Sequence, residues 1–132
     1  MKFILDTHTL VWWLRNEPGM LTKAQLHVLA ECERSREPVA ISAISLWELA
    51  MMIERKKLLV TSSLNEWLDE LESHPLLTIL PLTASIAAES VRLDGLHKDP
   101  ADQIIVASAR QHDLTLVTVD GRIRKWGHVK VL

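Results

Sequence analysis

Aromatic and small residues are thin in this chain of 132 residues: tyrosine is absent, phenylalanine and cysteine occur once each, and glycine four times. Each shortage closes a class of function. A lone Cys32 supports neither a disulfide framework nor a thiolate zinc site, and it suits a reducing, cytoplasmic setting. The glycines fall in no G-x-G-x-x-G or P-loop spacing, so no backbone cradle for a nucleotide's phosphates is expected. No apolar run approaches the roughly 20 residues of a membrane-crossing helix, and no signal-peptide pattern precedes the first apolar strand. A membrane is therefore not expected among the partners. A positive excess is missing too. The formal net charge of −2 excludes a broadly basic nucleic-acid glove, though not an enzyme acting on nucleic acid.

What remains is ordinary globular composition in a chain long enough for one core and too short for two, so one domain over residues 1–132 is expected. Short continuous apolar runs read as buried parallel strands: Lys2–Leu5, Pro38–Ser42, Leu76–Leu80, Leu114–Val119 and His128–Leu132. Helical spacing separates them. Leu46, Leu49, Ala50 and Ile53 recur at i, i+3, i+4, i+7, as do Leu64, Trp67, Leu68 and Leu71. Further helices are expected at Thr9–Arg15, Thr22–Arg36, Thr83–Leu93 and Pro100–His112. Strand and helix alternate through short connections, which predicts an α/β fold: a central, mainly parallel, five-stranded sheet with helices on both faces.

Two of the strands finish alike. Phe3-Ile4-Leu5 runs into Asp6, and Leu114 to Val119 runs into Asp120. Ligand sites in open parallel sheets lie beyond the carboxyl ends of strands, where strand order reverses, so these acids are candidates for one site. Each has a local explanation as well: Asp6 suits a helix N-cap, and Asp120-Gly121 is a turn dipeptide. Glu48 closes Ser45-x-x-Glu48, a capping-box pattern that Ser63-x-x-Glu66 repeats where no strand precedes it. Only the first copy follows a central-looking strand, which would put Glu48 in a first helical turn on the Asp6 edge. In HKDPADQIIVASA, Asp99 suits an N-cap, Pro100 the first helical position and Asp102 the first turn. The helix that follows is apolar almost all round, and an acid opening a buried helix faces a cleft or a cation more often than open solvent.

The joint placement carries more than any single acid. Two carboxylates about 5 Å apart repel by roughly 3 kcal/mol at an effective dielectric near 20. Four together must raise one another's pKa values or take up a cation. The donors are hard oxygens, and the six histidines show no H-x-x-x-H spacing and are expected mostly at the surface, so Mg²⁺ or Mn²⁺ is the ion that fits.

With these motifs in order (LDTH, SLWE, DPADQIIVASA and LVTVD), the whole chain resembles the PIN-domain ribonucleases, in particular the VapC-type toxins of bacterial toxin–antitoxin pairs. The resemblance implies a single PIN domain and a metal-dependent endoribonuclease with an acidic quartet at Asp6, Glu48, Asp102 and Asp120. Asp6 and Asp102 would be the most direct metal ligands, with Thr118 as a supporting hydroxyl and Asp99 beside them. Many relatives carry a basic residue directly after the third acid, where this chain has Gln103. The resemblance also implies an antitoxin segment over the catalytic edge.

An acidic protein must still admit RNA. Setting the four acids aside turns the formal charge from −2 to +2, and Arg122 is a candidate for a flanking phosphate. The Arg55-Lys56-Lys57 run reads more simply as solvated charge at a helix end. Trp67 belongs to an apolar stripe; Trp47 and Met51 lie off theirs, and Trp12 and Trp13 cannot both face inward, which points to a surface used by a homodimer or an antitoxin helix. Three rivals compete. A phospho-receiver domain needs an acid after its third strand, where Leu80-Pro81-Leu82 stands. A haloacid-dehalogenase-like phosphatase needs aspartate at His8. A PIN-like binding module without catalysis is the third.

Overall fold

Seven extended segments end on serine, threonine or aspartate, and each of these residues caps a helix. In the computed structural model, which describes residues 1–132, the helices are α1 (Thr7–Arg15), α2 (Lys23–Ser35), α3 (Ala43–Glu54), α4 (Leu64–Glu72), α5 (Ala84–Ser90), α6 (Pro100–Gln111) and α7 (Gly121–Trp126). Their caps are Asp6, Thr22, Ser42, Ser63, Thr83, Asp99 and Asp120, whose side-chain oxygens accept backbone N–H groups that the first turn leaves unpaired. Each such bond is worth about 1 kcal/mol.

Four strands, β1 (Phe3–Leu5), β2 (Val39–Ser42), β3 (Leu77–Leu80) and β4 (Thr115–Val117), form one parallel sheet in the order β3-β2-β1-β4. Alternation along each strand divides the core. Leu5, Val39, Ile41 and Val117 face one way, toward Leu10, Leu29, Leu49 and Leu71 of α1 to α4. Ile4, Ala40 and Leu116 face the other, toward Ile105 and Val106 of α6 and Ile123 of α7. Helices cover both faces, which is why these strands are apolar throughout rather than alternating. No helix is long and apolar enough to cross a membrane.

Four expectations need correction. The fifth strand is not a strand: after Gly127, in the left-handed region at φ 76°, residues 128 and 129 run off the sheet, and only a single bridge forms between Leu116 and Val131. α3 starts three residues before Leu46, capped by Ser42 and not by Ser45. The helix expected to Leu93 stops at Ser90, because Leu93 and Leu96 turn back into the core. α7, which the sequence reading left without an element, follows the Asp120 cap.

One buried side chain registers the far end of β4. Gln25, fully buried in the first turn of α2, donates to the carbonyls of Thr118 at 3.0 Å and Leu132 at 2.8 Å. Its oxygen meanwhile accepts from the backbone of Thr22 at 3.0 Å, completing a capping box.

Candidate active site

The chain runs β1 to β2 to β3 toward one edge of the sheet, then returns to place β4 on the other side of β1. The reversal leaves a crevice beyond the carboxyl ends of β1 and β4, and Asp6 and Asp120 stand on its two sides. A cleft of about 370 Å³ opens there, and Asp6, Glu48, Asp102 and Asp120 all line it, together with Asp99 and Arg122.

Thr118 joins the two ends of the chain. Its hydroxyl donates to Asp6 Oδ2 and accepts from the backbone N–H of Asp120 at 3.0 Å. The other oxygen of Asp6 accepts from Thr9 N at 2.9 Å and so caps α1. Capping and placement in the cleft are therefore not alternatives; the same carboxylate does both. Asp99 is likewise the cap of α6, accepting from Ala101 N at 3.0 Å and Asp102 N at 3.2 Å, and is exposed at the rim.

Glu48 arrives from an unexpected position. It is in the second turn of α3, not the first, because the helix begins at Ala43. Helical Cα–Cβ bonds tilt toward the N-terminus, so a glutamate one turn in still reaches the rim. There Thr7 Oγ1 donates to its Oε1 at 2.5 Å, and Ser45 Oγ lies 2.9 Å from the same threonine oxygen. Ser45 is fully buried and belongs to this hydroxyl chain, not to a cap.

Asp102 has a neighbour the sequence reading missed. His97 Nε2 lies 2.7 Å from Asp102 Oδ2, its side chain is only 14% exposed, and its buried Nδ1 has no partner. His97, Asp102 and Asp120 each offer a donor atom within 4.8 Å of the others. The available signal was His97 five residues before Asp102, ahead of a buried helix; a search for paired histidines passes over it. Gln103 does not enter the cleft lining but donates to the carbonyl of His97 at 3.3 Å, bracing this loop.

Charge in the cleft is unevenly answered. Burial holds the Glu48 carboxyl above the ordinary glutamate range, with the Thr7 bond opposing the rise and the charges of Asp99 and Asp102 adding to it. Burial also raises Asp102; its bond to His97 opposes this, while Asp99 and Asp6 push upward. Asp120 differs: the side-chain bond from Arg122, 2.9 Å away, holds it below the usual range. Asp6 and Glu48 lean on hydroxyls and have no cationic partner. Hard oxygen donors predominate, one imidazole adjoins them, and the lone Cys32 is buried under α2, in the other half of the core. This donor set fits a hard divalent cation.

Known proteins agree with this architecture. The PIN domain family model matches residues 3–129. Over 126 residues the chain is 33% identical to Ribonuclease VapC22 of Mycobacterium tuberculosis (strain ATCC 25618 / H37Rv), covering 95% of this chain and 92% of that protein. Among solved structures, FitAcB from Neisseria gonorrhoeae matches at a TM-score of 0.69 and 27% identity, over 98% of this chain and 96% of that one. VapBC2 from Rickettsia felis, bound to a DNA fragment from its promoter, matches at 0.71 over 100% and 98%, with 19% identity, a likeness of fold alone. With the family model spanning nearly every residue and a ribonuclease of the same length aligned end to end, the chain belongs to the PIN domain family, among its VapC-type members.

Proposed function

We propose that this protein is a divalent-metal-dependent endoribonuclease, the toxin of a toxin–antitoxin pair, and that it hydrolyses RNA phosphodiester bonds at the four-carboxylate cleft. The observation that carries the proposal is the meeting of Asp6, Glu48, Asp102 and Asp120, from four separate stretches of chain, in one cleft. Two of the four are raised by burial and by neighbouring acids. Structural ion-pair networks neutralise acids with local cations; this one leaves Asp6 and Glu48 without any.

Asp6 and Asp102 would hold Mg²⁺ or Mn²⁺ most directly, with Glu48 and Asp120 completing the site. The ion, when bound, supplies Lewis acidity toward the phosphate and lowers the pKa of water. Thr118 fixes the Asp6 carboxylate and Thr7 fixes that of Glu48, so neither acid must be oriented during the reaction. Glu48 and Asp102 are better proton acceptors than Asp120, since their carboxyls sit above the ordinary range and that of Asp120 below it. Arg122, at the cleft's edge, faces a flanking phosphate. An RNA substrate places the protein in the cytoplasm.

The ribonuclease name of the M. tuberculosis relative and the VapBC assembly of the R. felis neighbour support this reading and suggest an antitoxin partner. Trp47, 57% exposed on α3, gives such a partner, or a second copy in a homodimer, an apolar foothold. A receiver domain is disfavoured because β3, which would bear the acceptor acid, is the edge strand and ends away from the cleft. Lys130, the lysine such a domain would need, pairs with Asp113.

The test is RNA cleavage by purified, partner-free protein with Mg²⁺ or Mn²⁺. Cleavage should vanish with EDTA and in folded Asp6→Asn and Asp102→Asn variants. Equal activity in all of them would overturn the proposal, and binding of RNA without cleavage would assign an inactive module.

A further inference from the structure

The acid cleft has a neighbour of opposite character. A groove of about 550 Å³ lies between the loop before α6 and the face of α7, lined by Gly95, Leu96, His97, Lys98, Arg122, Lys125 and Trp126. Arg122 lines both hollows, so the two are continuous. No acidic residue lines the groove, and neither Lys98 nor Lys125 enters an ion pair.

Local explanations fall short. Lys125, in the last turn of a helix, suits the helix dipole. Lys98 immediately precedes the Asp99 cap of α6, where the same dipole disfavours a cation. Two elements thus bring unpaired cations to one groove, and one of the cations is electrostatically misplaced for its own helix. The groove's wall is also fixed. Trp126 Nε1 donates to the carbonyl of Asp94 at 2.7 Å, and the indole packs over Gly95, whose positive φ of 82° lets the backbone turn beneath it. The other large hollow, between α5 and α6, is self-compensated: Arg110 pairs with Glu89 at 3.5 Å and lies 5.7 Å over the Trp126 ring.

We propose that this groove, through Lys98 and Lys125 with Arg122 at the junction, is the exit track for the RNA strand and holds the phosphates adjoining the cleaved bond. The inference rests on the hydrolytic reading of the acid cleft. A polyanion with one phosphate among four acids needs cations for its next ones, and only this continuous surface supplies them.

The test is fluorescence anisotropy of a short labelled single-stranded RNA on the full chain in EDTA, across a salt series. Wild type is compared with Lys98→Ala/Lys125→Ala, its Lys98→Arg/Lys125→Arg counterpart and a distant control, Lys2→Ala/Lys23→Ala, each checked for folding by circular dichroism. The alanine pair should flatten the slope of log affinity against log salt by about 1.4, or ~0.7 per phosphate released. The arginine pair and the control should keep the wild-type slope. An unaltered slope in the alanine pair, or an equal loss in the control, overturns the track, as does weakened binding of an acidic peptide with RNA binding intact. Cleavage in Mn²⁺ is scored in parallel. Wild type that binds through these lysines but cuts nothing refutes the hydrolytic reading alone, whereas cutting with a lysine-independent slope refutes the track alone.

Discussion

Ser45-Leu46-Trp47-Glu48 and Ser63-Leu64-Asn65-Glu66 share one pattern and do different things. Ser63 caps α4, accepting from the Glu66 N–H at 3.2 Å in full exposure. Ser45 caps nothing; it is fully buried, meets Thr7, and through it braces a glutamate at the edge of the acid cleft. The difference lies in what precedes them. The four buried residues of β2 lead directly into a helix whose cap is Ser42, and this draws the later serine one turn inside. The copy before α4 follows a loop and stays at the surface. A motif's chemistry is set by the element that delivers it.

The sharpest way to break this comparison is to remove one charge from each copy. Glu48→Gln should lower RNA cleavage roughly a hundred-fold or more, and Glu66→Gln should leave the rate per folded molecule unchanged. Similar losses in both would mean the first copy owes nothing to its surroundings. Next in size is the response to metal. At a hundred-fold excess over its dissociation constant, Mn²⁺ should stabilise wild type by about 2.7 kcal/mol in a thermal melt. Glu48→Gln should shrink that gain, whereas Glu66→Gln should not. The serines separate the copies more finely. Ser63→Ala should cost about 1 kcal/mol of stability with no change in activity, as a lost cap does. Ser45→Ala should cost a similar amount but also slow cleavage about ten-fold, because the Thr7 hydroxyl loses its anchor.

The smallest effect concerns pH in the absence of metal. Glu48 and Asp102 have folded pKa values above their ordinary 4.5 and 3.8, so the folded state binds their protons more tightly than the unfolded chain does. Stability should therefore rise, by a few degrees of Tm, as pH falls from neutral toward those ordinary values. Asp120, held low by Arg122, opposes the trend only below its ordinary 3.8. Asp102→Asn should flatten the rise. A metal-free melt that falls steadily over this window would contradict the burial of these acids.

Much of the fold was legible because strands covered on both faces are apolar without alternation, and because every helix opens on a capping residue. The crevice was legible too, since Asp6 and Asp120 follow β1 and β4 and the strand order reverses between them. The remaining errors have physical causes. His128–Leu132 has strand-like composition, but pairing needs register, and Gly127 turns the chain so that only its end reaches β4. Glu48 was set one turn early because serine at either 42 or 45 satisfies the capping pattern, and only the sheet decides between them. His97 was passed over because its partner is a carboxylate across a loop, a relation with no fixed spacing. Trp12 and Trp13, expected to diverge, both pack partly on the same core half. Trp13 also reaches Glu33 at 2.6 Å, while Trp12 lines the cleft.

Gln25 extends the cleft's dependencies to a helix that never touches it. Its amide hydrogens are both committed, to the carbonyl that follows β4 and to the last residue of the chain. Glutamate at this position would aim two lone-pair-bearing oxygens at two carbonyls in a dry interior, and leucine would strand both carbonyls. Either replacement would be expected to loosen the Thr118 hinge between the chain's two terminal acids, so a lesion on the opposite side of the molecule could mimic a catalytic one.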